Sequence, residues 1–307
     1  MTRKIEICEV APRDGLQNEK VLLSCEEKIA FIERLEAVGL SQMEIGSFVH
    51  PKAVPAMADT DAVMKGLAGR RQQAKSRHLG IIMNERGLER AIKAGVAGVC
   101  IVTVVSESLS QKNNRRSALD ACKTALELLK GAKAHGLYTR VMVAPSFVCP
   151  FEGEVALDAV LRHADAAYEF SPDELVFCDT IGAAHPRAVT ELFTAVKERY
   201  GLESITAHFH DTRALGLANA AAAMQVGIRR FDASLGGLGG CPFAPGAKGN
   251  LATEDLVHLC HEMGLETSVS LSGLWETVAF MESLIKRPLG GQSKSFWLSK
   301  QGKNHGK

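Results

Sequence analysis

Short apolar runs rich in β-branched residues alternate along this chain with longer stretches in which apolar positions return every three or four residues. The short runs are Ile5–Val10, Gln42–Gly46, His78–Met83, Val99–Val104, Thr139–Val143, Glu174–Cys178, Ser204–Phe209 and Arg230–Ser234, each of strand length and strand composition. Their starts are spaced by about 32 residues on average, the size of a strand–helix–strand unit. The intervening stretches carry a helical period. Ile29, Ile32, Leu35 and Val38 predict one apolar helix face, with Ser24 as N-cap, Glu27 completing a capping box and Gly39 closing the helix. Leu119, Cys122, Leu126 and Leu129 predict a second face, ended by Gly136, and Val189, Leu192, Phe193 and Val196 a third. The Ala-rich stretch Ala214–Val226 predicts a close-packed helix after the seventh strand, and helical segments continue from Thr253 to Ile285.

Eight such repeats predict an α/β fold, a (β/α)8 TIM barrel with additional C-terminal helices. A doubly wound open sheet is the competing arrangement. The count of eight favours closure, and no GxGxxG turn follows the first strand. No Pro/Gly/Ser-rich linker interrupts the pattern. Residues 1–290 are therefore expected to form one domain, followed by a polar, basic and flexible tail over 291–307.

Composition narrows the function classes. The 307 residues are 46% hydrophobic and 23% charged, which fits a globular chain and excludes a disordered one. Thirty-six basic against thirty-five acidic residues leave a net charge of +1, which argues against nucleic acid as a partner. No apolar run reaches the roughly 18 residues of a membrane span. The start MTRKIEICEV has neither signal-peptide nor transit-peptide character, so a soluble, cytoplasmic protein without a membrane partner is expected. Eight cysteines without a CxxC pair fit reduced thiols.

In an α/β barrel the functional side chains come from the C-terminal ends of the strands and the loops after them. Reactive residue types gather there. The first strand runs into Ala11-Pro12-Arg13-Asp14-Gly15-Leu16-Gln17, the second contains Glu44, the sixth ends at Asp179, the seventh ends His208-Phe209-His210-Asp211, and a Gly-rich loop from Gly236 to Asn250 with Cys241 follows the eighth. Side chains two apart on a strand share a face, so His208 and His210 form a half-site for a metal ion if both point inward, and two ordinary histidines otherwise. Asp14 and Asn250 can be placed on the same rim. Two imidazoles with oxygen ligands suit an octahedral Mg²⁺ or Mn²⁺ site with positions left for substrate; a zinc site that includes Cys241 is the alternative. Pro12-Arg13-Asp14-Gly15 is either a plain turn or a source of a ligand and an anion-stabilising guanidinium. Glu44, between Met43 and Ile45, needs a partner if buried, and Arg13 on the neighbouring strand is the obvious one. Cys241 on its glycine-rich loop is either an idle thiol or a proton donor on a lid.

The runs APRDGLQNEK, GSFVHPKAVPAM, CPFEG, DTIG, HFHDT and GGLGGCPFAPGAKGNLATEDLV resemble the 3-hydroxy-3-methylglutaryl-CoA (HMG-CoA) lyase family and span residues 11 to 257. The resemblance implies a divalent-metal-dependent lyase in a catalytic barrel over residues 1–290. It implies retro-Claisen cleavage of HMG-CoA, a CoA thioester, to acetyl-CoA and acetoacetate. By position, Asp14, His208, His210 and Asn250 would hold the cation, and Arg13 would bind the thioester oxygen. Glu44 would support Arg13, Asp179 would shape the site, and His208 would share in proton transfer. Cys241 would be the acid, and Gln17 and Lys20 would lie along the substrate, with Lys20 near the CoA phosphates. A homodimer is implied as well. The chain departs from the family pattern on rim loops. Arg213-Ala214 stand where the family has Tyr-Gly, Val143-Ala144-Pro145-Ser146-Phe147-Val148 replace a Ser-Cys stretch and a Gly before Cys149, and SESLSQKNNRRS keeps part of the pattern after the fourth strand. Rim loops read substrate side chains. The alternatives are therefore a lyase, aldolase or synthase of the same superfamily acting on another 3-hydroxyacyl-CoA or a 2-oxo acid, then a zinc hydrolase, then a non-enzymatic metal-dependent binding protein.

Overall fold

Strand side chains alternate between two faces, and in this chain both faces are buried. Eight parallel strands satisfy that pattern by closing on themselves: β1 (Glu6–Glu9), β2 (Gln42–Ser47), β3 (Arg77–Ile82), β4 (Gly98–Val104), β5 (Tyr138–Ala144), β8 (Glu174–Cys178), β9 (Ile205–His208) and β10 (Arg230–Ala233). The computed structural model describes residues 4–68, 76–240 and 249–304. Each strand pairs in parallel with its neighbours in the order β1-β10-β9-β8-β5-β4-β3-β2, and β1 pairs with both β10 and β2, which completes the ring. A short antiparallel pair, β6 (Val148–Cys149) and β7 (Gly153–Glu154), lies between β5 and β8. The eight expected strands are all present, with no bound shifted by more than one residue. The expected (β/α)8 barrel is the observed fold.

The helices form the outer layer. In α1 (Cys25–Ala37) the expected capping box is formed: Ser24 Oγ accepts from Glu27 N–H at 3.2 Å, and Glu27 Oε2 accepts from Ser24 N–H at 2.7 Å. Gly39 follows at φ 100, where a Cβ would lie 2.1 Å from the Ser268 carbonyl oxygen, so only glycine fits. Around the ring come α2 (Thr60–Ala68), α3 (Glu85–Ala94), α4 (Glu107–Asn114), α5 (Ala118–Ala134), α6 (Leu157–Tyr168), α7 (Pro186–Tyr200) and α8 (Gly216–Val226). Helix α7 buries the expected Val189, Leu192, Phe193 and Val196. Helix α5 differs: it buries Ala121, Ala125, Leu128, Leu129 and Ala132 and leaves Leu119 64% exposed. Of the expected positions Leu129 is buried, Cys122 and Leu126 are half-buried and Leu119 is exposed; three alanines join Leu128 and Leu129 on the buried face, and their small side chains allow a close approach to β4.

Beyond the barrel stand α9 (Thr253–Glu262), α10 (Leu271–Ile285) and α11 (Lys294–Asn304). The segment from 291, expected as a flexible polar tail, begins with a docked stretch. The buried Asp255 accepts from Gln292 N–H at 2.6 Å and Ser293 N–H at 3.0 Å, and Trp297 stacks on Trp275 with ring centroids 6.2 Å apart. Among the described residues no helix is long and apolar enough to cross a membrane, and the described cysteines are free thiols.

Candidate active site

The end of β1 supplies the first two charges. After Glu9 the chain enters a π-helical turn, Ala11–Gly15, in which the N–H groups of Arg13, Asp14 and Gly15 all point at the Val10 carbonyl, at 3.1, 2.8 and 3.2 Å. Pro12 suits the opening of such a turn because it has no donor to satisfy there. The turn expected of this stretch is thus formed. Arg13 Nε donates to Glu44 Oε2 at 2.7 Å, Nη2 donates to the same oxygen, and Nη1 donates to Asp14 Oδ1 at 2.6 Å. Burial disfavours the charge on Arg13, but Glu44 and Asp14 outweigh it and hold the guanidinium above its ordinary pKa. For Asp14, burial pushes the carboxyl up, yet Arg13 and then the two neighbouring histidines bring it down to about 2.

The end of β9 supplies two imidazoles. His208 and His210 are both buried, with ring centroids 5.0 Å apart. His208 Nδ1 lies 3.1 Å from Asp232 Oδ2, and His210 Nδ1 lies 2.9 Å from the Asp179 carbonyl oxygen. A carboxylate and a carbonyl only accept, so each neutral ring carries its proton on Nδ1 and keeps the Nε2 lone pair free. For His208, burial lowers the pKa, but the hydrogen bond and charge of Asp232 outweigh it and the pKa is raised. For His210, burial and then the charge of His208 bring it down to about 4.

The chain returning after β10 places the fourth group. Asn250 bridges His210 in an antiparallel pair, flanked by Asp211 N–H to Gly249 O at 2.9 Å and Leu251 N–H to Phe209 O at 3.0 Å. Gly249 is at φ 95, where a Cβ would sit 2.2 Å from the Gly237 carbonyl oxygen. Asn250 Nδ2 donates to Asp14 Oδ2 at 2.8 Å and to Leu238 O at 3.0 Å, while its Oδ1 is buried with no hydrogen-bond partner. Asp14, His208 and His210 offer ligand atoms all within 4.8 Å of one another. An unsatisfied buried acceptor beside two free imidazole lone pairs and a carboxylate fits a divalent cation.

These groups open on a cavity of about 650 Å³, whose lining includes Arg13, Asp14, Gln17, His208, His210 and Thr180. The structure therefore brings together Arg13, Asp14, Gln17, Glu44, His208, His210 and Asn250. Asp179 stands behind His210. Its Oδ1 accepts from Ala183 and Ala184 N–H at 2.8 and 3.1 Å, its Oδ2 has no partner, and burial lifts its carboxyl to about 6. Lys20 is exposed and outside the cavity lining. Cys241 lies outside the described residues. Arg213 is exposed and also outside the lining, and Ala214 adopts φ 57, the left-handed conformation that suits the glycine of the family pattern. Among the buried charges that the sequence reading did not single out are Arg140 and Asp232. Each sits in an apolar strand, the same signal that singled out Glu44.

The HMGL-like family matches this chain over residues 4–281. Hydroxymethylglutaryl-CoA lyase YngG of Bacillus subtilis is 40% identical over 287 residues, 94% of this chain and 95% of its own. (R)-citramalyl-CoA lyase of Chloroflexus aurantiacus is 39% identical over 292 residues, 93% and 92% of the two chains. An HMG-CoA lyase from Acinetobacter baumannii, solved in complex with coenzyme A and 3-methylmalate, is 35% identical, with a TM-score of 0.90 over 95% of each chain.

Proposed function

The chain belongs to the HMGL-like family, and on that premise we propose that it is a carbon–carbon lyase that cleaves HMG-CoA to acetyl-CoA and acetoacetate. The observation that carries this reading is the convergence of Asp14, His208, His210 and Asn250 on one side of the cavity with the Arg13 guanidinium beside them. These four residues would hold a divalent cation, and the nitrogen and oxygen donor set suits Mg²⁺ or Mn²⁺. Such an ion supplies Lewis acidity that lowers the pKa of the substrate C3 hydroxyl.

The chain's own groups supply the rest. As the C3 hydroxyl proton passes to solvent water in the cavity, its bonding pair forms the C3 carbonyl of acetoacetate, and the C2–C3 bonding pair moves onto C2 and into the thioester oxygen, giving the enolate of acetyl-CoA. Arg13 has five N–H donors; three are engaged with Glu44 and Asp14, which leaves two for that oxygen. Glu44 holds the guanidinium from behind, so its plane is set before substrate arrives. The enolate then takes a proton at C2, a step we assign to the Cys241 thiol. His208 presents one free nitrogen, which we assign to the ion. Asp179, through its carbonyl, holds the His210 ring and shapes the turn after β8.

Citramalyl-CoA cleavage is the second reading, favoured by the nearly equal identity to the Chloroflexus aurantiacus lyase. The products separate the two, since HMG-CoA yields acetoacetate and citramalyl-CoA yields pyruvate, each with acetyl-CoA. Purified protein with Mg²⁺ or Mn²⁺ is expected to release acetoacetate from HMG-CoA and to stop on chelation. Pyruvate release from citramalyl-CoA without acetoacetate from HMG-CoA would move the assignment to the second reading, and neither product would end the lyase reading.

A further inference from the structure

Below the cavity floor, inside the barrel, the charged groups are joined in one chain. Arg140 on β5 is fully buried and uses three nitrogens on three carboxylates: Nε donates to Glu174 Oε2 at 2.9 Å, Nη1 to Glu44 Oε1 at 3.0 Å and Nη2 to Asp232 Oδ1 at 2.5 Å. The far oxygen of Glu44 holds Arg13, and the far oxygen of Asp232 faces His208 Nδ1. Two groups that face the cavity, Arg13 and His208, thus hang from opposite ends of a single Glu44–Arg140–Asp232 bridge. Barrel interiors are ordinarily filled by branched apolar side chains. Buried ion pairs are costly to desolvate, and apolar replacements of similar volume are often neutral or better for stability. Burial of this network is therefore poorly explained by stability alone.

We propose that Asp232 and Arg140 are positioning residues for the ion site. Asp232 fixes the His208 tautomer so that Nε2 faces Asp14 and His210, and Arg140 fixes which Asp232 oxygen is left for His208. This rests on the proposed function only for the identity of the ion. The chemistry makes one distinctive demand. Arg140 can only donate, so the atom at Asp232 that meets it must accept. In Asp232→Asn the amide oxygen must therefore turn to Arg140, which presents the amide NH₂ to His208 Nδ1. The ring then has to carry its proton on Nε2, where the ion should bind. Asp232→Ala removes the acceptor without imposing the wrong tautomer. The near-isosteric Asn variant should thus be the more harmful of the two, the reverse of what loss of packing predicts.

The test is Mn²⁺ titration of purified full-length protein without substrate, followed by the electron paramagnetic resonance signal of free Mn²⁺, with apo melting temperature and circular dichroism as folding checks. Loss of an outer-shell partner typically weakens metal binding 10–100-fold. We expect Asp232→Asn to raise the Mn²⁺ Kd by about 10–100-fold, and Asp232→Ala by less. ¹⁵N-histidine spectra of the apo Asn variant should show one ring changed from the Nδ1–H to the Nε2–H form. Equal Mn²⁺ affinity in all three proteins, Ala worse than Asn, or an unchanged tautomer would each overturn the proposal, as would a natural chain that binds no Mn²⁺. If Asp232→Asn fails to fold, the Ala variant and the tautomer of His208 in the natural chain decide: unchanged affinity, or a proton on Nε2, overturns it. A natural chain that binds Mn²⁺ but releases neither acetoacetate nor pyruvate would sink the lyase reading and leave this one standing.

Discussion

Neighbouring residues on the same strand do opposite work in this barrel. On β5, Val141 and Val143 face outward into the apolar layer under the helices, while Arg140 and Met142 face the interior; on β8, Leu175 and Phe177 face out while Glu174, Val176 and Cys178 face in; on β10, Phe231 and Ala233 face out while Asp232 faces in. The outer layer is a continuous hydrophobic core. The inner one mixes small apolar and thiol side chains with a connected set of charges that rises to the rim. The outer face carries the hydrophobic stabilisation, and the inner face gives up some of it to hold charges in set directions. A step of one residue along a strand crosses from one role to the other.

The comparison breaks most visibly if an inner substitution costs stability or an outer one costs chemistry. His208→Ala is expected to lower kcat/KM for acetyl-CoA formation by about 10³ or more, because it removes a ligand and leaves Asp232 without its imidazole. Its melting temperature without metal should stay close to that of the natural chain. A steady-state assay beside a thermal melt checks both. Phe177→Ala, on the outer face of the neighbouring strand, should do the converse. Phe177 is fully buried and meets Phe193 edge-on at 5.9 Å, so its loss should cost about 3–5 kcal/mol in denaturant unfolding. The kcat of the molecules that remain folded should be little changed.

Glu9 sharpens the contrast because it is a carboxyl at the top of β1 that belongs to the structural side. It is fully buried, and it accepts from Ala11 N–H, Leu235 N–H and Thr253 Oγ1 at 2.9, 2.8 and 2.7 Å, tying the first strand to the last loop and to α9. Burial, against the pull of those donors, lifts its pKa to about 8. Between pH 4.5, where an unfolded glutamate loses its proton, and about 8, the folded chain keeps a proton that the unfolded chain has released. Its contribution to stability is therefore greatest on the acid side and is lost as pH rises through that window. Glu9→Gln mimics the protonated acid, with its amide oxygen for the two N–H groups and its NH₂ for Thr253. Its melting temperature should fall less between pH 5 and pH 8 than that of the natural chain; parallel curves would show that Glu9 is ionised when folded.

Much of this was legible in one dimension. Period-two strands at regular spacing, the Ser24 capping box and the apolar stripe of α7 depend on contacts within a few residues or on which side chains share a face. The HxH pair at 208 and 210 was legible for the same reason, and the Arg13–Glu44 pairing because consecutive strands of a barrel are neighbours. The stripe of α5 was not: several registers of its sequence offer an apolar face, and the one chosen depends on how near the helix can come to β4. Arg140 and Asp232 carried the same mark as Glu44, a charge inside an apolar strand, but no partner stands close to them in the sequence to give that mark a meaning. Lys20 was placed near the substrate by resemblance, and it stands outside the cavity lining.

By itself, the order of residues determined the alternation of strands and helices, the number of repeats and the chemical types at each strand end, because these follow from local periodicity and from the residues themselves. It did not determine which imidazole nitrogen is free, which oxygen of Asp232 meets Arg140, or that the chain after residue 291 docks on Asp255. Those were decided when the ring of strands closed. Closure brings side chains from β2, β5, β9 and β10 into one small, water-poor space, where each buried donor and acceptor must take its partner from whatever the opposite strands supply.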